Sequence, residues 1–404
     1  MYGLILEGGG AKGAYHVGAY KALKELDINI GGIAGTSIGA LNGAFLIQGE
    51  VKDLEDIWIN TKTTDIFNFD EKVEKVINDL KNFNLQEINL PYLLNVSKEI
   101  INNRGLDTSK IRALLEEIID EDKIRNSYMD FGIVTVNLTD RKPMEMLKED
   151  IPRGRLIDYL LASANLPAFK QEEVDGKKFL DGGFHNNLPI EVLAKKGYKN
   201  LIAVRTHAIG IIRKPKNKRL NIIYIQPVEQ LAGLLDFNKQ QAERDMHLGY
   251  YDTMKVFKNL RGYKYYCEPY DGNFNQLMVD FLTERKERIL KIGSILGFSD
   301  IPADRMLYEK IMPRIEDILD MKGNNDYQDI IIRLVEHIAG MYDDIEKFKI
   351  YKARDFWNTV INKFKSNPIE YTKNVPAFIK HNKILSLAVK ESLIVEIFEE
   401  MFLD

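Results

Sequence analysis

Three short glycine-rich stretches carry the residues whose types and spacing could do chemistry. In "GGIAGTSIGALNGAFL", residues 31–46, Ser37 stands between Gly35 and Gly39, where an apolar run meets a run with helical spacing. G-x-S-x-G after a strand and before a helix suits a nucleophile elbow. The chain turns so sharply at the serine that only glycine fits the flanking positions, and the N–H of the next residue, Ile38, points into an oxyanion site. The plainer alternative is a small-residue helix start with Ser37 as its N-cap. The second stretch, "GGGAKG" (Gly8–Gly13), has the G-x-G-x-x-G spacing of a dinucleotide-binding loop. That use also wants an acid about 20 positions on, at the end of the second strand. Here the second strand ends in "IAGTSIG" and carries none. The other use of such a loop is a cluster of bare backbone N–H groups at a helix N-terminus, able to stabilise a developing oxyanion. The third stretch, "FLDGGFHNNLP", puts Asp181 at a strand end before Gly182 and Gly183. Taken alone, it reads as an ordinary Asp-Gly turn.

The elements that must position these residues alternate. "YGLILEGGGAKGAYHVGAYKALKEL" reads as strand, glycine loop, helix, and the Ser37 stretch repeats that order. Residues 50–130 are polar and mostly helical, with "DTSKIRALLEEIIDED" the clearest case and Asp107 or Thr108 as its N-cap. "MDFGIVTVNLTDRKPMEML" reads as two strands around a Thr-Asp turn. Then follow helix ("RLIDYLLASANLPAF"), strand into turn ("KKFLDGGF"), helix ("PIEVLAKKG"), two strands ("YKNLIAVRT", "RLNIIYIQP") and a long helix from Lys239. This alternation predicts an α/β fold with a largely parallel sheet. Strand signals nearly vanish after about residue 260. The expected division is a first domain over 1–260 and a helical C-terminal region over 270–404.

Composition bounds the rest. With 404 residues, 45% hydrophobic and 29% charged, the chain can bury a sizeable core and reads as globular. Its net charge of −4 leaves no general basic footprint for nucleic acid. A single cysteine, Cys267, cannot form an internal disulfide, which suits a reducing, cytoplasmic setting and a structural role for the thiol. The first glycine motif starts at Gly8, leaving no room for a signal peptide. The uncharged run Ile28–Gly49 holds six glycines among Asn, Thr, Ser and Gln, and reads as strand, turn and buried helix rather than as a membrane span.

In this order and spacing, over roughly residues 3–258, the three stretches resemble the patatin-like phospholipase family. "GGGAKG" looks like its oxyanion loop, "GTSIG" its nucleophile elbow and "DGG" its third signature. "ASANLPAF" (Ala162–Phe169) is similar to its A-S-x-x-x-P block. The resemblance implies a three-layer α/β fold and a serine lipid acyl hydrolase of phospholipase A or lysophospholipase type, with no cofactor and no metal. It implies Ser37 as nucleophile and Asp181 as the partner that takes its proton. Gly8, Gly9 and Gly10, with Ile38, are the implied oxyanion donors; Lys12, Gly13, Gly35, Gly39, Gly182 and Gly183 support the motifs. Membrane phospholipid or lysophospholipid is the implied substrate, with peripheral membrane contact. Many members carry Arg where this chain has Lys12. Lysine lacks the planar fork that grips phosphate, which bears on headgroup preference.

Two other classes stay open. One is an α/β-hydrolase with a Ser-Asp-His triad, in which His207 or His247 fills the third slot. Against it, Ser37 lies on only the second strand. The other is a non-catalytic lipid-binding regulator that keeps the fold without the chemistry. His16 and His185 lie near glycine motifs and read as packing or surface residues; His337 and His381 carry no motif. None of the six histidines makes a zinc-type pair. Finally, "IIRKPKNKRLN" (Ile211–Asn221) holds five basic residues and no acid. It reads as a solvated loop, or as a weak contact for anionic headgroups.

Overall fold

The computed structural model describes residues 1–49, 51–66, 106–167, 169–170, 173–371 and 385–403. Part of the polar helical run expected over 50–130, and His381, lie outside the described residues. The chain divides into two compact units, Met1–Met254 and Lys255–Asp404.

The first unit is built on one mixed sheet in the order β5-β6-β3-β2-β1-β7-β8, with β4 also on β3. Its strands are β1 Tyr2–Leu6, β2 Ile30–Thr36, β3 Asp130–Asn137, β4 Lys142–Leu147, β5 Glu173–Val174, β6 Lys177–Asp181, β7 Asn200–Val204 and β8 Asn221–Ile225. The neighbours β3-β2-β1-β7-β8 are all parallel. β4 forms the expected hairpin on β3 and is antiparallel to it, as β6 is to β3 and β5 to β6. The middle strands read as continuous apolar runs because both faces are covered: Leu4, Ile5 and Leu6 are fully buried, as are Ile33 and Ala34. On one face Ile5, Ala34, Val134, Leu193 and Leu201 form a shared core.

The helices that matter to the site start at strand ends. α1 (Ala14–Glu25) follows β1 through a single 3-10 turn, Gly10–Gly13. α2 (Ile38–Gln48) follows β2 with Ser37 as the only residue between them. α3 spans Val51–Asn60, α4 Ser109–Ile118, α5 Leu156–Ser163, α6 Ile190–Lys196 and α7 Lys239–Lys258. At the start of α4, Asp107 does the capping: its carboxylate accepts the Ser109 N–H at 3.0 Å, while the Thr108 side chain makes no capping bond. α6 ends where Gly197 takes a left-handed φ of 109°, a turn for which glycine pays no Cβ penalty.

The second unit is helical apart from one short parallel pair, Tyr266–Cys267 with Ile350–Tyr351. Its core gathers Ile289, Leu307, Ile332, Phe356 and Phe398. Two of its helices, Phe274–Glu284 and Lys286–Ile295, meet at Arg285. Buried Glu336 collects the N–H groups of Tyr263, Lys264 and Tyr265 at 2.8, 3.1 and 2.7 Å, which fixes the loop leading into the short pair. Cys267 is free and buried, and burial pushes its thiol up. Among the described residues, no helix is long and apolar enough to cross a membrane.

Candidate active site

Parallel strands in register deliver their C-termini to one edge of the sheet. Leu6 lies opposite Gly35 on β2 and Val204 on β7, so the residues after β1, β2 and β7 leave the sheet side by side. Ser37 sits at that edge with φ 56° and ψ −127°, and its side chain makes no capping bond. Ser37 holds the N-cap position, its carbonyl accepting the Leu41 N–H at 3.2 Å, but its hydroxyl caps nothing and its backbone makes a strained corner. The flanking glycines are required by space: a Cβ on Gly35 would lie 2.2 Å from the Gly39 carbonyl carbon, and one on Gly39 would lie 2.4 Å from the Leu6 oxygen.

Asp181 arrives from the other direction. β6 is antiparallel to β3, with Asp181 opposite Thr135, while Thr36 on β2 lies opposite Val134. The return strand therefore ends level with the elbow. Asp181 is buried, with one carboxylate oxygen accepting the Gly183 N–H at 2.7 Å. Its Oδ2 has no hydrogen-bond partner among the described residues. Burial pushes the carboxyl up to about 6, against the pull of the Ser37 hydroxyl and the Gly183 N–H toward the charged form. The Ser37 hydroxyl therefore lies near the Asp181 carboxyl group.

The "ASAN" stretch holds both partners, a role that its motif alone did not disclose. Ser163 Oγ accepts the Ser37 N–H at 3.0 Å and donates to the Val134 carbonyl at 2.7 Å. The Asn165 carbonyl accepts the Asp181 N–H at 2.7 Å, and its side-chain amide donates to the Phe179 carbonyl at 2.9 Å.

The glycine loop completes the site. Gly10 has φ 56°, and a Cβ there would meet the Leu234 oxygen at 2.0 Å. That same oxygen accepts the Ala11 N–H at 2.9 Å. Among the described residues nothing accepts from the N–H groups of Gly9, Gly10 or Ile38. Gly8 is different and corrects the expectation for it: its N–H donates to the Asn187 carbonyl at 3.1 Å, so it braces the loop and has no free donor to offer. Around the loop, buried Glu7 accepts from Arg205 Nε at 2.8 Å and from the Thr206 N–H at 2.7 Å. The Thr206 hydroxyl in turn donates to the Gly8 carbonyl at 2.6 Å. Lys12 is buried and turns its ammonium to the carbonyls of Thr206 and His207, at 3.5 and 3.4 Å. Burial lowers its pKa, against the raising influence of Glu7 and Asp245. Its contacts are those of a strut within the fold. Asp245 accepts the Ala232 N–H at 2.7 Å, two residues before Leu234, and burial pushes it up to about 6.

Gly10, Ser37 and Ile38 open onto a cavity of about 130 Å³. Leu41, Phe45, Trp58, Leu115, Leu234 and Phe237 give its character. Apart from Ser37, Asn42 and Thr61, the lining side chains are apolar or, at Gly10, absent. Trp58 stacks on Phe237 with ring centroids 5.7 Å apart and donates to Asn42 Oδ1 at 3.1 Å.

Among the described residues no imidazole hydrogen-bonds to Ser37 or Asp181. His16 is fully buried against Asn42, and burial pushes it down to about 3, so it stays neutral. His185 and His207 are lowered by burial first, and His247 is exposed on α7.

Residues 4–194 match the family model for patatin-like phospholipases. Neuropathy target esterase sws of Drosophila melanogaster is 26% identical over 205 residues, 50% of this chain and 12% of that protein. Patatin-like phospholipase domain-containing protein ZK370.4 of Caenorhabditis elegans is 28% identical over 204 residues, 50% of this chain and 13% of that protein. The human patatin-like phospholipase domain-containing protein 6 is 25% identical over 208 residues, with the same shares. The chain thus spans a small part of these relatives. The crystal structure of VipD from Legionella pneumophila aligns at a TM-score of 0.39 and 15% identity, over 99% of this chain and 91% of that one, a likeness too weak to argue from. Over residues 4–194, just under half of its length, the chain is similar to the patatin-like phospholipase family.

Proposed function

We propose that the protein is a serine lipid acyl hydrolase that works with a Ser37–Asp181 dyad on phospholipid or lysophospholipid drawn from a membrane surface. One observation carries the reading: strained Ser37 lines an apolar cavity together with Gly10 and Ile38, and β6 ends level with it at Asp181, a buried carboxylate with a vacant oxygen. Ser37 Oγ attacks the ester carbonyl as Asp181 Oδ2 takes its proton. The N–H groups of Gly9, Gly10 and Ile38 hold the oxyanion. The proton passes from Asp181 to the leaving alcohol, and water then repeats the cycle on the acyl-enzyme.

Each part answers a physical need. A carboxylate at its ordinary value of about 3.9 is a poor base. Burial that raises Asp181 to about 6 brings it nearer the working range without an imidazole. The donors stay free in the resting fold, so they need no reorganisation when charge develops. Losing one such donor typically costs about 10²–10³ in kcat. The apolar cavity takes the acyl chain and leaves the polar headgroup outside.

The test is active-site labelling with a fluorophosphonate, followed by mass spectrometry of products from a defined phospholipid and lysophospholipid panel. We expect one adduct, on Ser37, and release of free fatty acid. A folded protein that takes no label and releases no fatty acid from any panel member is a binder, and the hydrolase reading ends there.

A further inference from the structure

We infer that Ile211–Arg219 is a docking surface for an anionic lipid bilayer, attached directly to the turn that follows Asp181. The choice of a bilayer as partner rests on the acyl-hydrolase reading; the surface itself rests on its own residues. In a chain of net charge −4, Arg213, Lys214, Lys216, Lys218 and Arg219 fall within nine positions, with no acid among them. All five are exposed, and among the described residues none pairs with a carboxylate. The one acid that touches the segment, Glu191, uses an oxygen on the Lys216 backbone N–H at 2.5 Å. Beside the cations stand two exposed isoleucines, Ile211 at 38% and Ile212 at 41% of full exposure. Cations alone would suit any polyanion. Cations next to an exposed aliphatic pair suit a bilayer, where the ammonium and guanidinium groups meet phosphates while the isoleucines enter the acyl boundary.

The attachment gives this surface its place. β7 ends at the same sheet edge as the elbow, so the segment leaves the sheet on the side of Ser37. Ile211 is then fixed from both sides: its N–H donates to the Gly183 carbonyl at 2.9 Å, and its carbonyl accepts the Asn187 N–H at 2.6 Å. Arg213 adds two bonds to the same turn, from its N–H to Asn186 Oδ1 at 3.2 Å and from Nε to the His185 carbonyl at 2.9 Å. Gly183 is the residue whose N–H holds Asp181. A bilayer seated on Ile211 and Ile212 therefore lies next to the proposed base, and its headgroup charge decides how long the enzyme stays there.

The experiment is sedimentation of the full chain with phosphatidylcholine vesicles, with and without phosphatidylglycerol, at low and high salt. The variants are Lys214→Glu/Lys216→Glu/Lys218→Glu and, separately, Ile211→Ser/Ile212→Ser. We expect the parent to bind the anionic vesicles far more tightly than the neutral ones, with affinity falling as salt rises. The charge reversal should weaken anionic binding by on the order of 10²-fold, counting roughly fivefold per lysine near the surface. The serine pair should weaken binding while leaving its salt dependence intact. Equal binding to both vesicle types, or a charge reversal without effect, overturns the proposal. So does tighter binding to an oligonucleotide than to anionic vesicles. Hydrolysis of a soluble short-chain ester, run in parallel, keeps the two readings apart. Both variants should match the parent there, and a parent inert on the ester but bound to anionic vesicles overturns the hydrolase alone.

Discussion

The Ser37 N–H donates to the Ser163 hydroxyl at 3.0 Å, and that hydroxyl donates onward to the Val134 carbonyl at 2.7 Å. Ser163 thus ties the elbow to β3, the strand on which Asp181 pairs one residue further along, at Thr135. A non-glycine residue held at φ 56° costs on the order of 1–3 kcal/mol and persists only where its surroundings over-determine it. Ser163 is one of those constraints, and it also couples the distance between Ser37 and Asp181 to the sheet.

Ser163→Ala leaves the Ser37 N–H and the Val134 carbonyl without this partner. We expect a stability loss of about 1–3 kcal/mol by urea unfolding. Turnover on a soluble ester should drop by roughly 10–10²-fold from the displaced nucleophile, with KM little changed. Wild-type kcat in this variant would mean that the hydroxyl does not position the elbow.

The pH profile follows from Asp181. It must be charged to accept the serine proton, and burial holds it at about 6, so kcat/KM should rise through about pH 6 and then level off. An imidazole, at about 6.5, would give nearly the same limb. Variants decide between them. Asp181→Asn should be as inactive as Ser37→Ala, since residues that act as one unit do not lose activity additively. Asn at His16, His185, His207 or His247, one at a time, should keep the limb in each folded variant. Asp245 also titrates near 6, and Asp245→Asn keeps an oxygen for the Ala232 N–H, so the limb should survive there too. A limb that vanishes with one histidine reassigns the base.

The same shift has a stability consequence of definite sign. The folded-state value of Asp181, about 6, is above the ordinary carboxylate value of 3.8, so the folded protein holds the proton more tightly than the unfolded chain. The resulting stabilisation is complete below the unfolded value and is lost as pH rises through about 6. At about pH 8, Asp181→Asn removes a buried charge and should therefore gain on the order of 2–3 kcal/mol over the parent. At about pH 4 the gain should shrink toward zero. Thermal unfolding at the two pH values reads the difference directly, and a gain independent of pH would point to packing instead.

Gly10→Val should abolish turnover. A β-branched residue is a conformational outlier at φ 56°, and its Cβ would collide with the Leu234 oxygen that also holds Ala11. We expect kcat to fall by at least about 10²-fold, with Ser37 still in place. Undiminished hydrolysis by a folded variant would take this loop out of the mechanism.

The cavity makes a prediction about chain length. Leu115 contributes to the apolar lining beside Phe45 and Trp58. Leu115→Trp should shorten the acyl chain accepted, lowering kcat/KM for long-chain lysophospholipid while sparing a short-chain ester. A uniform loss across chain lengths would indicate general damage to the fold.

What the sequence disclosed, it disclosed through backbone constraints. Gly35, Gly39 and Gly10 stand where a Cβ has no room, so their spacing is a direct imprint of the turn they make. The order of strands and helices was legible for the same kind of reason, since buried parallel strands read as apolar runs. Strand direction was not: nothing in "KKFLD" says that β6 runs against β3, because pairing is settled by residues far along the chain. Nor do Ser163, Asn165, Glu7 and Asp245 announce themselves. Each acts through one or two polar contacts that any exposed serine, asparagine or carboxylate could make. Gly8 shows the converse: it has the right residue type for a donor, yet its N–H is already taken by Asn187.

The meeting of β2 and β6 across β3 also fixes when the chemistry begins. Ser37 and Asp181 are far apart in the chain, and they come level only once β3 has paired with strands on both sides. Such non-local pairing is the slow part of folding, because the intervening loop must close before its contacts reward it. During refolding, fluorophosphonate capture at Ser37 should therefore lag the recovery of helix. If the two rise together, the elbow is competent without β6. On the dyad reading, Ser37 is made before Asp181 and works only after it, so a chain still lacking β6 presents an inert serine.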